Sequence, residues 1–210
     1  MLSTPSAVHD AETTVPAPSA PSALVDAVTG VMVSPGGLIA VVSGDPEQSA
    51  DLARRLGRFE DAVLREAEVR WGAEALHMMP LREVRSRIVV SDAEPQLFTG
   101  TLREELDPTG EHTDAEIMAA IDVASADDVF DGLEDGLNDQ VTEKGRSFSG
   151  GQRQRLTLAR AVLTEAEVLV LIEPTSAVDA HTESRIATAL RGARNTPGTP
   201  LWWSRPARYC

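Results

Sequence analysis

Apolar residues recur along this chain in two rhythms. Short unbroken runs, Leu38 to Val42 (LIAVV) and Val168 to Ile172 (VLVLI), predict buried strands, the first after a Pro35-Gly36-Gly37 turn. Val69 to Trp71, Arg87 to Val90 and Leu201 to Trp203 predict further strands. Helical spacing predicts a helix over 47–57, and two short helices with acidic first turns over Thr113 to Ala124 and Asp127 to Leu133. A longer helix after Gly151 places Leu156, Leu158, Ala159 and Val162 on one apolar stripe, and another runs from about Ala180 to Ala193. Residues 1–23, rich in Pro, Ala, Ser and Thr, predict a disordered leader or linker; they lack the Arg and Lys of a transit peptide.

At 210 residues, this pattern fits one domain, or one domain with a small subdomain. The formal charge of −14 argues against a nucleic-acid partner, which would need Lys and Arg to neutralise phosphates. The one cysteine, Cys210, makes no disulfide framework and no Cys-based metal site, and the four histidines lack ligand spacing. No apolar run approaches the roughly 18–20 residues of a spanning helix, so no direct membrane span is expected.

Two stretches carry candidate chemistry. Residues 147–155 read SFSGGQRQR, a helix start offering backbone N–H groups, a hydroxyl and an amide where a phosphate can sit. Ser149 as N-cap with Gln152 three residues on is equally an ordinary capped helix. Residues 168–183 read VLVLIEPTSAVDAHTE: a strand with Glu173 at its end, a Pro-Thr-Ser turn, and Asp179 ahead of a helix. Together they resemble the signature motif, catalytic glutamate and D-loop of ATP-binding cassette (ABC) ATPases. VTEKG at 141–145 and QLFTGTLREEL at 96–106 are similar to the segments of ABC exporters that precede the signature and follow the Q-loop.

The resemblance runs from about Leu24 to Ser204. It implies an α/β fold, a P-loop NTPase-like core (24–102 and 151–210) around a mainly parallel sheet, with a helical subdomain over 103–150. It implies roles for Ser149, Gly150, Gly151 and Gln152 as signature, Glu173 as the catalytic position, Asp179 as D-loop, and Glu143 in coupling to a membrane domain.

The nucleotide-binding half departs from the family pattern. A phosphate loop needs GxxxxGK[ST] between the first strand and its helix. Here Ser43, Gly44, Asp45, Pro46, Glu47, Gln48, Ser49 and Ala50 cover that loop, with Ser49 at the lysine and Ala50 at the magnesium-binding hydroxyl. Starting at Gly44 instead puts Ala50 and Asp51 there. Asp45 as N-cap with Pro46 at N1 reads as a plain helix start. Ile172, Ala93 and Ser204 stand where the family has its magnesium-shell Asp, Q-loop Gln and switch His.

Because ABC cassettes pair head to tail, a chain keeping its signature but not its phosphate loop is expected to complete an ATP held elsewhere. The resemblance therefore implies ATP and Mg²⁺ as cofactors, bound mainly by a second ABC ATPase domain with an intact loop. It also implies transmembrane permease domains as partners, and a cytoplasmic place against the inner face of the cell membrane. The chain's own Glu173 would then be idle and self-sufficient hydrolysis is not expected. The alternatives are a pseudo-ATPase serving regulation or assembly, a truncated or frameshifted product ending in WWSRPARYC, and an autonomous ATPase with an unconventional loop.

Overall fold

The computed structural model describes residues 14–59, 69–94, 96–142, 145–164, 166–193 and the backbone of 201–206. They fall into two compact units.

The first unit draws on residues up to Val90, on Ala166–Ile172 and on the last strand. Its antiparallel sheet has the order β2-β1-β4-β5, built from β1 (Leu24–Asp26), β2 (Met32–Val33), β4 (Val69–Trp71) and β5 (Glu74–Ala75). A second sheet has the order β3-β10-β9-β6, built from β3 (Leu38–Ser43), β10 (Leu201–Pro206), β9 (Val168–Ile172) and β6 (Ile88–Ser91). β10 runs parallel to both its neighbours, with Ser204 in register with Val41 and Ile172.

Helix α1 (Pro46–Leu56) buries Ser49, Leu52, Ala53, Arg55 and Leu56, the spacing of one helical face. Asp45 caps it and Gly57 ends it. Arg55 then reaches from α1 to β1: its Nε and Nη2 donate to the two Asp26 carboxylate oxygens at 2.9 and 3.1 Å, and Asp26 is fully buried. Burial alone would raise the Asp26 pKa; the bonds from Arg55 and Thr29 outweigh it and the net shift is downward. Helix α2 (Leu81–Arg87) leads into β6; the Arg87 guanidinium lies 4.3 Å over the Trp71 ring and its Nε donates to Glu167 at 2.8 Å.

The second unit is mainly helical. It holds β7 (Gly100–Thr101), α3 (Leu102–Leu106), α4 (Asp114–Val123), α5 (Asp127–Asp131), β8 (Gln140–Val141), α6 (Gly150–Leu163) and α7 (Ala180–Ala193). Helices α3, α4 and α6 each begin with a reciprocal capping box: Thr101 with Glu104, Thr113 with Glu116, Ser149 with Gln152. α6 packs on α3 and α4. Arg160 of α6 pairs with Glu105, which is buried (4% exposed), and Arg155 pairs with Asp128 and the Ser125 carbonyl.

Several expectations change here. β3 is not a buried strand: its residues are half-buried or exposed, Val42 to 61%. It stands at the end of its sheet, whereas β9, flanked by β10 and β6, is buried throughout. Arg87 closes α2, so the strand begins at Ile88. The helix predicted to reach Leu133 stops at Asp131, and the last strand runs on to Pro206. Leu163 rather than Val162 fills the buried stripe of α6. Within 1–23, residues from Thr14 on are not a loose leader: the Val15 N–H donates to Met78 O at 2.8 Å, the Ala17 N–H to Glu83 at 2.9 Å, and Ala17 is buried. The two units also divide differently from 102/103 and 150/151, since α6 and α7 group with the helical part.

Candidate functional site

The strand-to-helix segment 43–51 lies in the first unit. β3 ends at Ser43 and α1 begins at Pro46, so Gly44 and Asp45 are the whole connection. Ser43 Oγ donates to Asp45 O at 2.9 Å and accepts from Asp45 N at 3.1 Å. Asp45 Oδ1 accepts the Glu47 N–H at 3.0 Å, and Oδ2 the Gln48 side chain at 3.3 Å. The start of α1 is thus capped by the protein's own carboxylate, with Glu47 in its first turn. Ser49 is buried and Ala50 half-buried.

The second stretch lies in the other unit. Ser149 Oγ accepts the Gln152 N–H at 3.2 Å, and Gln152 Oε1 accepts the Ser149 N–H at 2.8 Å. Ser149 and Gly150 are exposed, at the start of a 14-residue helix whose end is partly positive. A Cβ on Gly150 would meet nothing within 4 Å, whereas one on Gly151 would come within 2.6 Å of the Ala177 carbonyl oxygen. Packing therefore explains why residue 151 is glycine and leaves Gly150 unaccounted for within the chain. A hollow of about 300 Å³ beside this helix start includes Asp128, Asp139, Phe148 and Gln152 in its lining, and its carboxylates do not suit a phosphate.

After β9, Glu173 turns the backbone through a left-handed conformation, φ 46°. The Ser176 and Val178 N–H groups close back on Glu173 O and Thr175 O. Asp179 then caps α7: its carboxylate accepts from His181 N at 2.9 Å, Thr182 N at 3.0 Å and Thr182 Oγ1 at 2.8 Å. The bonds from Thr182, backbone and side chain, hold its pKa down to about 2.

Sequence reasoning missed the residue that joins these two stretches. Gln154, 5% exposed, lies on the core face of α6 and reaches the 173–177 turn. The available signal was a glutamine four residues before Leu158, in register with the apolar stripe. Thus Ser149, Gly150, Gly151, Gln152, Glu173 and Asp179 share one unit, while Ser43, Gly44, Ser49 and Ala50 share the other. Ala93 is half-buried between them in sequence, and Glu143 lies outside the described residues. Among the described residues no cluster of His, Cys, Asp or Glu could hold a metal ion, and no helix is long and apolar enough to cross a membrane.

An α/β fold with parallel strands, a helical unit and a glycine-bearing helix start joined to the turn after a buried strand is the arrangement of an ABC ATP-binding domain. Residues 52–176 match the ABC transporter family, and the chain belongs to it.

Among curated relatives, ABC transporter C family member 12 of Dictyostelium discoideum is 40% identical over 126 residues, 60% of this chain and 10% of that protein. The vacuolar heme ABC transmembrane exporter abc3 of Schizosaccharomyces pombe is 34% identical over 161 residues, 77% of this chain and 11% of that protein. The chain thus spans about a tenth of the length of these relatives. The solved structure of a bacterial Atm1-family ABC exporter with ATP bound superposes with a TM-score of 0.80 at 21% identity, over 94% of this chain and 37% of the exporter chain. At that identity the likeness concerns the fold.

Proposed function

We propose that this chain donates its signature, Ser149, Gly150, Gly151 and Gln152, to ATP held by a partner cassette, and that its own nucleotide site is idle. The observation that carries this reading is the open space over Gly150 beside the exposed, capped start of α6. With no Cβ and nothing of its own chain against it, Gly150 leaves the helix start open to close approach from outside the chain; Gly44 is equally open but stands beside the Asp45 and Glu47 carboxylates. The N–H groups and partial positive charge of a helix start suit a phosphate.

Mg-ATP fits residues 43–51 poorly. Asp45 already occupies the helix start, Glu47 adds a second carboxylate in its first turn, Ser49 puts no ammonium at the lysine position, and Ala50 puts no hydroxyl at the magnesium position. Charge-assisted hydrogen bonds contribute about 1.5–3 kcal/mol each. Losing two weakens affinity by roughly a hundredfold or more. Glu173, without a nucleotide clamped by this chain's own phosphate loop, has no water to activate.

When bound, Mg-ATP supplies the terminal phosphate that is transferred to water. In this reading the chain orients that phosphate through Ser149 and the first N–H groups of α6, while Asp179 shapes the adjoining seam. Permease domains supplied by a partner receive the resulting movement through the segment around Glu143, and the assembly places the chain on the cytoplasmic face of the membrane.

Calorimetry of Mg-ATP with the purified, folded chain is expected to show no binding; tight binding overturns the idle-site reading. In an assembled pair with a cassette bearing an intact phosphate loop, Ser149→Ala should abolish turnover and Glu173→Gln should leave it unchanged. The reverse pattern would put the working site in this chain.

A further inference from the structure

Gln154 is a polar side chain on the core face of α6, and three hydrogen bonds of its amide converge on one turn. Its Nε2 donates to Glu173 O at 2.8 Å and to Ser176 Oγ at 3.0 Å, and its Oε1 accepts the Ala177 N–H at 3.0 Å. Burying an amide is unfavourable unless its groups are paired, and Leu or Met would cover the same face without that demand. What the glutamine adds is geometry: three bonds to three residues of one turn.

Two further features belong to the same contact. Glu173 holds φ 46°, a conformation that residues other than glycine seldom adopt, and its carbonyl accepts both Gln154 and the Ser176 N–H. Gly151, one helical turn before Gln154, is pressed against the Ala177 carbonyl, where a Cβ would come within 2.6 Å. Helix and turn therefore touch twice along one face, once by close packing and once by the amide. Beyond the turn, Asp179 caps α7.

The geometry points to Gln154 as a positioning residue that locks the turn 173–179 onto the signature helix, so that Ser149, Gly150 and Asp179 are offered to a partner as one rigid body. This rests on the proposed signature-donor role for its consequence in turnover, but the lock itself is a property of this chain alone. Without it, the signature and the Asp179 turn would answer a neighbouring cassette independently, and the seam would lose its fixed spacing.

The test has two arms. Hydrogen exchange on the isolated full chain compares wild type with Gln154→Met, which keeps the length and volume and removes the bonds, and with Gln154→Glu, which can still accept from Ala177 but cannot donate when ionised. The lock predicts at least tenfold faster exchange of the Ala177 amide in Gln154→Met, with β9 and α4 as protected as in wild type. Gln154→Glu should keep that amide partly protected while loosening Ser176. Unchanged protection of Ala177 in both variants overturns the lock.

The second arm measures ATP turnover in an assembled pair with a phosphate-loop-intact cassette, with Ser149→Ala as control. A tenfold or greater fall in kcat for Gln154→Met, with KM for ATP little changed, supports positioning. If Ser149→Ala abolishes turnover and Gln154→Met does not alter it, the glutamine is structural only and the proposal fails. If neither variant alters turnover, the donor reading fails, while the exchange arm still decides the lock.

Discussion

The adjacent glycines 150 and 151 should respond in opposite ways to the same methyl group. At Gly151 a Cβ would stand 2.6 Å from the Ala177 carbonyl oxygen, and ordinary contact begins at 3.4 Å, so helix and turn must separate by about 0.8 Å. Overpacking of this kind costs about 1–3 kcal/mol. Replacing glycine by alanine in a helix returns about 1 kcal/mol. Gly151→Ala should thus be destabilised by up to about 2 kcal/mol net, a Tm drop of up to roughly 8 °C for a chain of this size. Gly150→Ala meets open space and should be as stable as wild type or up to about 1 kcal/mol more stable. Thermal and urea unfolding of both variants, followed by circular dichroism, measure the contrast. In an assembled pair, Gly150→Ala should nonetheless slow ATP turnover, because its methyl group occupies the approach to the helix start. The reasoning is refuted if Gly151→Ala is as stable as Gly150→Ala, or the more stable of the two.

Other perturbations test the framework around this site. Removing Arg160 strands the buried Glu105, whose pKa burial already pushes up against the pull of Phe98 N–H and Arg160; breaking such a pair costs about 3–5 kcal/mol, so Arg160→Ala should unfold at clearly lower urea. Asp26→Asn should destabilise the first unit by a similar amount near neutral pH, since it leaves Arg55 buried without its carboxylate. Because the folded pKa of Asp26 lies below its ordinary 3.8, its contribution is complete above that value and lost as pH falls through the folded one. Wild type and Asp26→Asn should therefore converge in stability under acid, and a constant gap down to the lowest pH would disprove the assignment. Asp179→Ala should speed amide exchange at His181 and Thr182 while Asp179→Asn preserves much of the cap, as read by site-resolved exchange.

The sequence by itself determined the elements whose cause is local. β9, a run of five apolar residues, falls at Val168–Ile172 as predicted, and α7 spans Ala180–Ala193 as predicted. The helices opened by Thr113 and Ser149 start where their capping boxes place them, because a cap and its partner lie three residues apart and need no distant contact. Family membership was legible for the same reason: SFSGGQ and IEPTSAVD are contiguous strings. Tertiary structure alone decided what depended on neighbours far along the chain. LIAVV reads as a core strand, yet β3 stands at the end of its sheet and leaves Val42 exposed. The Pro-rich residues from Thr14 on read as loose chain until Met78 and Glu83, more than sixty residues away, accept their N–H groups. The join between α6 and the turn after β9 rests on an amide and a glycine nineteen or more residues from their partners. Local propensity acts within a few residues, so it places helices and strands; pairing a buried amide with a distant carbonyl requires the folded chain to bring both to one point.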